Sequence, residues 1–344
     1  MSGWIDAHVH SFGDADSLAE LDAIEKRFGY TEANFLSVEG MDDAAQNALA
    51  IAWKLKGAGH YAFGGMHHRF PYDSAEETQR LYDIGFDGIK MIENKPTERF
   101  RLGLAQDDPF FAGMYGTAEK LGMPLLVHIN DPRVFWDEEQ IPAWAKDAGY
   151  YCGGPGRVSF EQILKESLHV LECYPKLEIC FAHFLFLSDD HDLLQMLMDT
   201  YPNLWLDVTA GTEMYPNFAS RPDLWKPFFI DYADRILYGT DNSAPMNGED
   251  ERIAGVLNHL EKRFFASDEA IPLWDQKICG FGLPETVVQL ITEQNFRRFA
   301  GEVPRRIDRD LAKEYLKERL VNPSYRLSGR ERKIIADAIE IMLV

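Results

Sequence analysis

Polar and apolar positions follow two rhythms along this chain. Short apolar runs with little polar alternation recur through the first two thirds, at residues 3–11, 33–38, 61–66, 88–92, 124–129, 177–182, 204–208 and 235–239. Runs of this kind read as strands buried on both faces, which is the habit of parallel sheets. Between them lie stretches with helical spacing. Leu18, Leu21, Ile24 and Phe28 share one face over residues 17–28. Similar stretches cover 42–55, with Asp42 as the expected N-cap, and 74–83. In the latter Ser74 and Glu77 have capping-box spacing. Further helices are predicted over 109–121, 159–173, 190–200, 223–232 and 283–299. The tail beyond residue 305 reads as two charged amphipathic helices, parted near Asn322-Pro323.

Strand and helix thus alternate eight times, which predicts an α/β fold, a (β/α)₈ TIM barrel with a C-terminal helical extension. The competing architecture is an open doubly wound sheet. It lacks support, because no strand is followed by a Gly-rich phosphate loop and Gly280-Phe281-Gly282 falls late in the chain. The expected organisation is a barrel over 1–301 and an extension over 302–344. Residues 132–157 interrupt the alternation. They are rich in aromatics and glycine, among them Phe135, Trp136, Trp144, Tyr150 and Tyr151, which suits a lid over the barrel mouth.

Composition narrows the function classes. Of 344 residues, 46% are hydrophobic and 26% charged, enough to bury a large core. The net charge of -21 repels phosphate backbones and anionic lipid, so nucleic acid and membrane surfaces are not expected partners. No apolar run reaches the length of a membrane span. The four cysteines form no Cys-x-x-Cys pair, and no leader-like segment precedes the first strand. A reducing cytoplasm is the expected setting. The terminal helices either cover the barrel wall or join copies into a homo-oligomer.

The chemistry concentrates at strand ends. Residues two apart on a strand share a face, so His8 and His10 project together from the end of the first strand. Lys90 lies in the fourth, and His128, His183 and Asp241 follow the fifth, sixth and eighth. Each alone has an ordinary explanation as a core, capping or snorkelling residue. A barrel, however, funnels these ends into one pocket. Histidines with a carboxylate suit Zn²⁺, with Mn²⁺ or Fe²⁺ as alternatives. His67, His68 and Arg69 after the third strand, and Trp136 in the insertion, are candidate substrate contacts by position. No Gly-x-Ser-x-Gly or comparable nucleophile setting competes.

The set resembles the amidohydrolase superfamily, and within it the branch of aminocarboxymuconate-semialdehyde decarboxylase-like enzymes. The matching pieces are Asp6-Ala7-His8-Val9-His10, Gly85-Phe86-Asp87-Gly88-Ile89-Lys90, Pro124-Leu125-Leu126-Val127-His128, the run from Tyr174 to His183, the run from Arg235 to Asp241 and the closing helix near Asn295-Phe296-Arg297. The resemblance implies a metal held by His8, His10, His128 and Asp241. It implies that His183 either joins them or positions and protonates substrate, and that Asp241 accepts a proton from water activated by the metal. Lys90 would be a carboxylated bridge between two metals, or a free amine for a substrate carboxylate or oxyanion. The expected activity is metal-dependent hydrolysis of a small amide, lactone or ester. The alternative is a metal-dependent lyase, a decarboxylase or hydratase, on the same scaffold. A non-catalytic barrel would be expected to lack ligands, and here all are present.

Overall fold

The computed structural model describes residues 3–209, 211 and 213–343. Nine short strands build one parallel sheet: β1 (Trp4–Ser11), β2 (Tyr30–Leu36), β3 (His60–Gly65), β4 (Gly88–Asn94), β5 (Leu125–Ile129), β6 (Ile179–Phe181), β7 (Leu204–Asp207), β8 (Ile236–Leu237) and β9 (Asn242–Ala244). Neighbours run in sequence order from β1 to β8, and β9 pairs with β1. β8 and β9 are two halves of one barrel strand. β8 pairs with β7 and β9 with β1, while the residues between them are stitched to β1. There the Ala7 amide donates to the Tyr238 carbonyl (3.0 Å) and the Asp241 amide to the His8 carbonyl (2.9 Å). The sheet therefore closes, and the fold is the TIM barrel with helical C-terminal part that the alternation predicts.

Side chains from the strands fill the barrel interior. Ile5, Ala7, Tyr61, Phe63, Leu126, Cys180, Trp205 and Leu237 pack there with Phe296 and Phe299 of the closing helix. That helix, predicted as continuous over 283–299, is divided. A π-helical turn at Leu290–Gln294 separates Glu285–Gln289 from Asn295–Ala300. The cause is tertiary: the Ile291 carbonyl accepts from the Tyr238 amide (3.0 Å), so it is drawn from the helix to the split strand. Asn295 Nδ2 donates to the carbonyls of Ala233 (2.6 Å) and Ile236 (2.7 Å) on the same strand.

Two caps differ from expectation. Asp42 does not N-cap the helix; it closes the 3₁₀ turn Glu39–Met41, its carboxylate accepts from Arg69 Nε (2.7 Å), and the helix starts only at Gln46. The third helix is capped by Asp73, which accepts from the amides of Ala75 and Glu76. Ser74 Oγ donates instead to the Phe110 carbonyl, and Glu77 accepts from Tyr315 rather than closing a capping box. Residues 248–279, unassigned from the sequence, form the helix Gly248–Ala266 and the hairpin Ala270–Leu273/Gln276–Cys279.

The C-terminal helices Arg309–Val321 and Gly329–Ile341 lie against the barrel's outer helices. Their anchor is buried. Arg319 donates to Glu39, Tyr315 and Glu77 and to the Ala44 carbonyl. Residues 132–157 carry a small core of their own, built by Phe135, Ile141, Ala145 and Cys152. Among the described residues no helix is long and apolar enough to cross a membrane, and all four cysteines are free.

Candidate metal centre

The site begins with an irregularity in β1. The pairing with β2 slips between Asp6 and Val9. Ala7 therefore packs inside the barrel, yet His8 and His10 also face its mouth, and Val9 joins the outer core. An inserted residue re-aims side chains in this way, which unbroken alternation would not allow.

Hydrogen bonds set the proton on each imidazole. His10 Nδ1 lies 2.9 Å from the Leu36 carbonyl. A carbonyl only accepts, so Nδ1 carries the hydrogen and Nε2 is a bare lone pair. The same logic holds for His183, whose Nδ1 faces the Thr209 carbonyl at 3.3 Å. His8 Nδ1 faces Asp207 Oδ2 at 2.8 Å, the arrangement that holds a metal-ligating histidine in its tautomer. The bare Nε2 atoms of His8 and His10 stand only 3.1 Å apart. Asp241 Oδ1 is 3.3 Å from His10 Nε2 and 3.7 Å from His8 Nε2. The ligand atoms of His8, His183 and Asp241 all lie within 4.8 Å of one another. Lone pairs facing one another this closely repel unless a cation lies among them. The residues present thus fit a divalent metal.

The protonation states agree. Burial, joined by the positive charge of Lys90, holds His8, His10, His128 and His183 well below the usual histidine value, so all four are neutral, the ligating form. Asp241 reaches solvent (43% exposed) but stands among crowded protein atoms. That crowding pushes its acid up to about 6, against the pull of Lys90.

The backbone turns sharply at three strand ends to present these groups. Asn130 and Asp241 have φ of 58° and 59°, and His183 to Phe186 all have φ between 54° and 59°. Left-handed non-glycine residues cost roughly 1–2 kcal/mol each. The His183 turn is held by Asp207 Oδ1, which accepts from the His183 amide at 2.7 Å. Beside Asp241, Gly239 has no alternative: a Cβ there would lie 2.8 Å from that of His8.

His128 packs against His183 with ring centroids 4.9 Å apart, and its Nε2 donates to the Asn130 carbonyl at 3.1 Å. Lys90 is buried, and among the described residues its Nζ has no hydrogen-bond partner. Burial pushes its amine down to about 8, and Asp207 and Asp241 oppose that. Other positional candidates are engaged elsewhere. His67 packs among Phe70, Tyr72 and Tyr325. His68 Nε2 pairs with Glu93 at 2.7 Å. Every nitrogen of Arg69 is taken, by Asp42, Glu331 and the Tyr325 carbonyl. Trp136 Nε1 donates to the Val158 carbonyl at 2.9 Å. Asp207 was missed by sequence reasoning. Its signal was faint: an acid closing the apolar run Leu204-Trp205-Leu206 at the level of the other strand ends.

A family model described as amidohydrolase matches residues 5–307. The chain belongs to the amidohydrolase family. Solved structures similar to this amidohydrolase include 2,6-dihydroxybenzoate decarboxylase from Rhizobium, at TM-score 0.52 and 17% identity, covering 87% of this chain and 98% of that one. A second is 4-oxalomesaconate hydratase from Rhodopseudomonas palustris, at TM-score 0.51 and 13% identity, covering 92% and 98%. A third is a dihydroxybenzoic acid decarboxylase from Polaromonas sp. JS666 with bound manganese, at TM-score 0.52 and 15% identity, covering 87% and 97%. At these identities the likeness is one of fold. No curated protein matches the chain.

Proposed function

We propose that this amidohydrolase is a divalent-cation-dependent lyase that removes CO₂ from a small carboxylic acid. The observation that carries the reading is Lys90, a buried amine with no hydrogen-bond partner among the described residues, beside a cluster of ligating groups. A buried cation left unpaired is costly, and a substrate carboxylate would complete it. The decarboxylases and the hydratase among the similar folds support a lyase over the hydrolase that the chemistry of the ligands alone suggests.

In this reading His8, His10, His183 and Asp241 hold the ion, with His128 beside them and Asp207 fixing His8. Zn²⁺ and Mn²⁺ both suit nitrogen and carboxylate donors. When bound, such an ion would supply Lewis-acid polarisation of the substrate. Lys90 binds the carboxylate and holds it away from water. The carbon–carbon bond breaks, its electron pair stays on the substrate carbon, and CO₂ leaves. Asp241 Oδ delivers a proton to that carbon and is reprotonated from solvent, which it reaches. His67, His68, Arg69 and Trp136 keep structural roles, and residues 132–157 form the lid that excludes water.

A panel of aromatic and unsaturated carboxylic acids tests the proposal with protein loaded with Zn²⁺ or Mn²⁺. CO₂ should be released, with one deuterium placed on the product carbon in D₂O, and a chelator should stop both. Turnover of amides or lactones without CO₂ would overturn it. That outcome would favour the second reading, a hydrolase, which the solvent access of Asp241 supports.

A further inference from the structure

The outer helix Phe160–Cys173 carries a second constellation. His169 Nδ1 lies 2.8 Å from Asp107 Oδ2, and His169 Nε2 lies 3.3 Å from Cys173 Sγ. His169 and Cys173 are one helical turn apart, so they share a face, and Asp107 arrives from the loop that precedes the helix Ala112–Leu121. The three form a chain of carboxylate, imidazole and thiol that the proposed lyase chemistry does not use.

The order of the chain decides what it can do. A carboxylate only accepts, so the hydrogen between Asp107 and His169 resides on Nδ1. Nε2 then offers its lone pair to the Cys173 thiol. Transfer of that proton makes a thiolate beside an imidazolium, and Asp107 stabilises the imidazolium. The end of a helix disfavours a thiolate, and the imidazolium created by the same transfer opposes that effect. The arrangement does not suit a metal, because Asp107 sits on the opposite ring nitrogen and the three groups converge on no common point. Both ends are open to reagents: His169 is 54% exposed and Cys173 is exposed.

We infer that Cys173 is an activated nucleophile that exchanges with low-molecular-weight disulfides. The Cys173 sulfur attacks one sulfur of the disulfide, whose S–S bond breaks as the Cys173 mixed disulfide forms. The departing thiolate takes the proton that His169 received from Cys173. One small disulfide is consumed and one small thiol released.

The molecule contains its own control. Cys279 is also exposed, and among the described residues its thiol makes no hydrogen bond, while Cys152 and Cys180 are buried. Full-length protein is treated with cystamine at neutral pH, quenched with acid and read by site-resolved mass spectrometry. Cys173 should be modified about 10-fold faster than Cys279. His169→Gln should bring Cys173 down to the rate of Cys279 and leave Cys279 unchanged. Asp107→Asn should slow Cys173 by a smaller factor. Equal rates at the two cysteines of the wild type would overturn the inference. So would an unchanged Cys173 rate in His169→Gln that keeps Cys152 and Cys180 protected. If that variant exposes the buried cysteines, Asp107→Asn makes the same comparison.

Discussion

Two buried polar clusters lie near the same end of this barrel, and they differ in completeness. Around Arg319, opposite charges meet within the chain. Its guanidinium donates to Glu39, Glu77, Tyr315 and the Ala44 carbonyl, and among the described residues Nε alone of its nitrogens has no partner. Around His8, like meets like. Bare nitrogens of His8 and His10 face each other, a carboxylate stands beside them, and Lys90 Nζ has no hydrogen-bond partner among the described residues. The first cluster is satisfied by the fold itself. The second is satisfied only by something added, which is what a binding site requires. Buried polarity alone therefore does not mark a site; buried polarity with unmet valence does.

The largest effect expected from this contrast is on turnover. Asp241→Asn or His10→Ala should lower kcat/KM by about 10³-fold, roughly 4 kcal/mol, and reduce bound metal. The metal-free variants should unfold within about 1 kcal/mol of the metal-free wild type, because the cluster contributes little to the bare fold. A loss of several kcal/mol in denaturant titration would erase the distinction between the clusters.

Arg319→Met should do the reverse. It leaves Glu39 buried without its cation and should cost about 3–5 kcal/mol of stability, with metal affinity unchanged. Equilibrium denaturation checks this, and a cost below about 1 kcal/mol would show that the pair is not a structural anchor.

Lys90→Met sharpens the comparison from inside the incomplete cluster. For a carboxylate substrate KM should rise about 10- to 100-fold, as expected when a charged hydrogen bond of about 1.5–3 kcal/mol is removed. Metal-free stability should not fall, since the amine has no partner to lose. Steady-state kinetics with an acid and its uncharged ester separates this from a general loss of activity.

The smallest effect concerns pH. His67 packs beside Tyr325, and burial, with the positive charge of Arg319, pushes it down to about 3 from an ordinary 6.5. The folded ring stays neutral where the unfolded one is protonated. The stability it contributes is whole above about 6.5 and falls by up to about 1.4 kcal/mol per pH unit towards 3. The four site histidines are shifted in the same direction and steepen the slope. His67→Phe should flatten the stability curve by about one proton in that window. An unaltered slope would show that His67 is already protonated in the fold.

Much of this was legible in the sequence. Short apolar strands and amphipathic helices are local patterns, so eight alternations announced the barrel, and the strands offered His8, His10, Lys90, His128, His183 and Asp241 as candidates. Asp42 and Ser74 show the limit of local signals: both have capping chemistry, but Arg69 and Phe110 claim their side chains from afar. His67, His68 and Arg69 likewise follow the third strand, yet tertiary partners already engage their side chains.

What the sequence by itself determined was the order of elements and the types of ligand available, because periodicity of burial and donor chemistry are properties of neighbouring residues. Only the tertiary structure decided the slip in β1 that lets Ala7 and His8 both face the barrel interior, and the split of the eighth strand. Only it paired Asp207 with His8 across 199 positions and Glu39 with Arg319 across 280. Those outcomes depend on which distant groups reach each other once the barrel closes. The same closure leaves one set of charges matched and the other waiting for an ion.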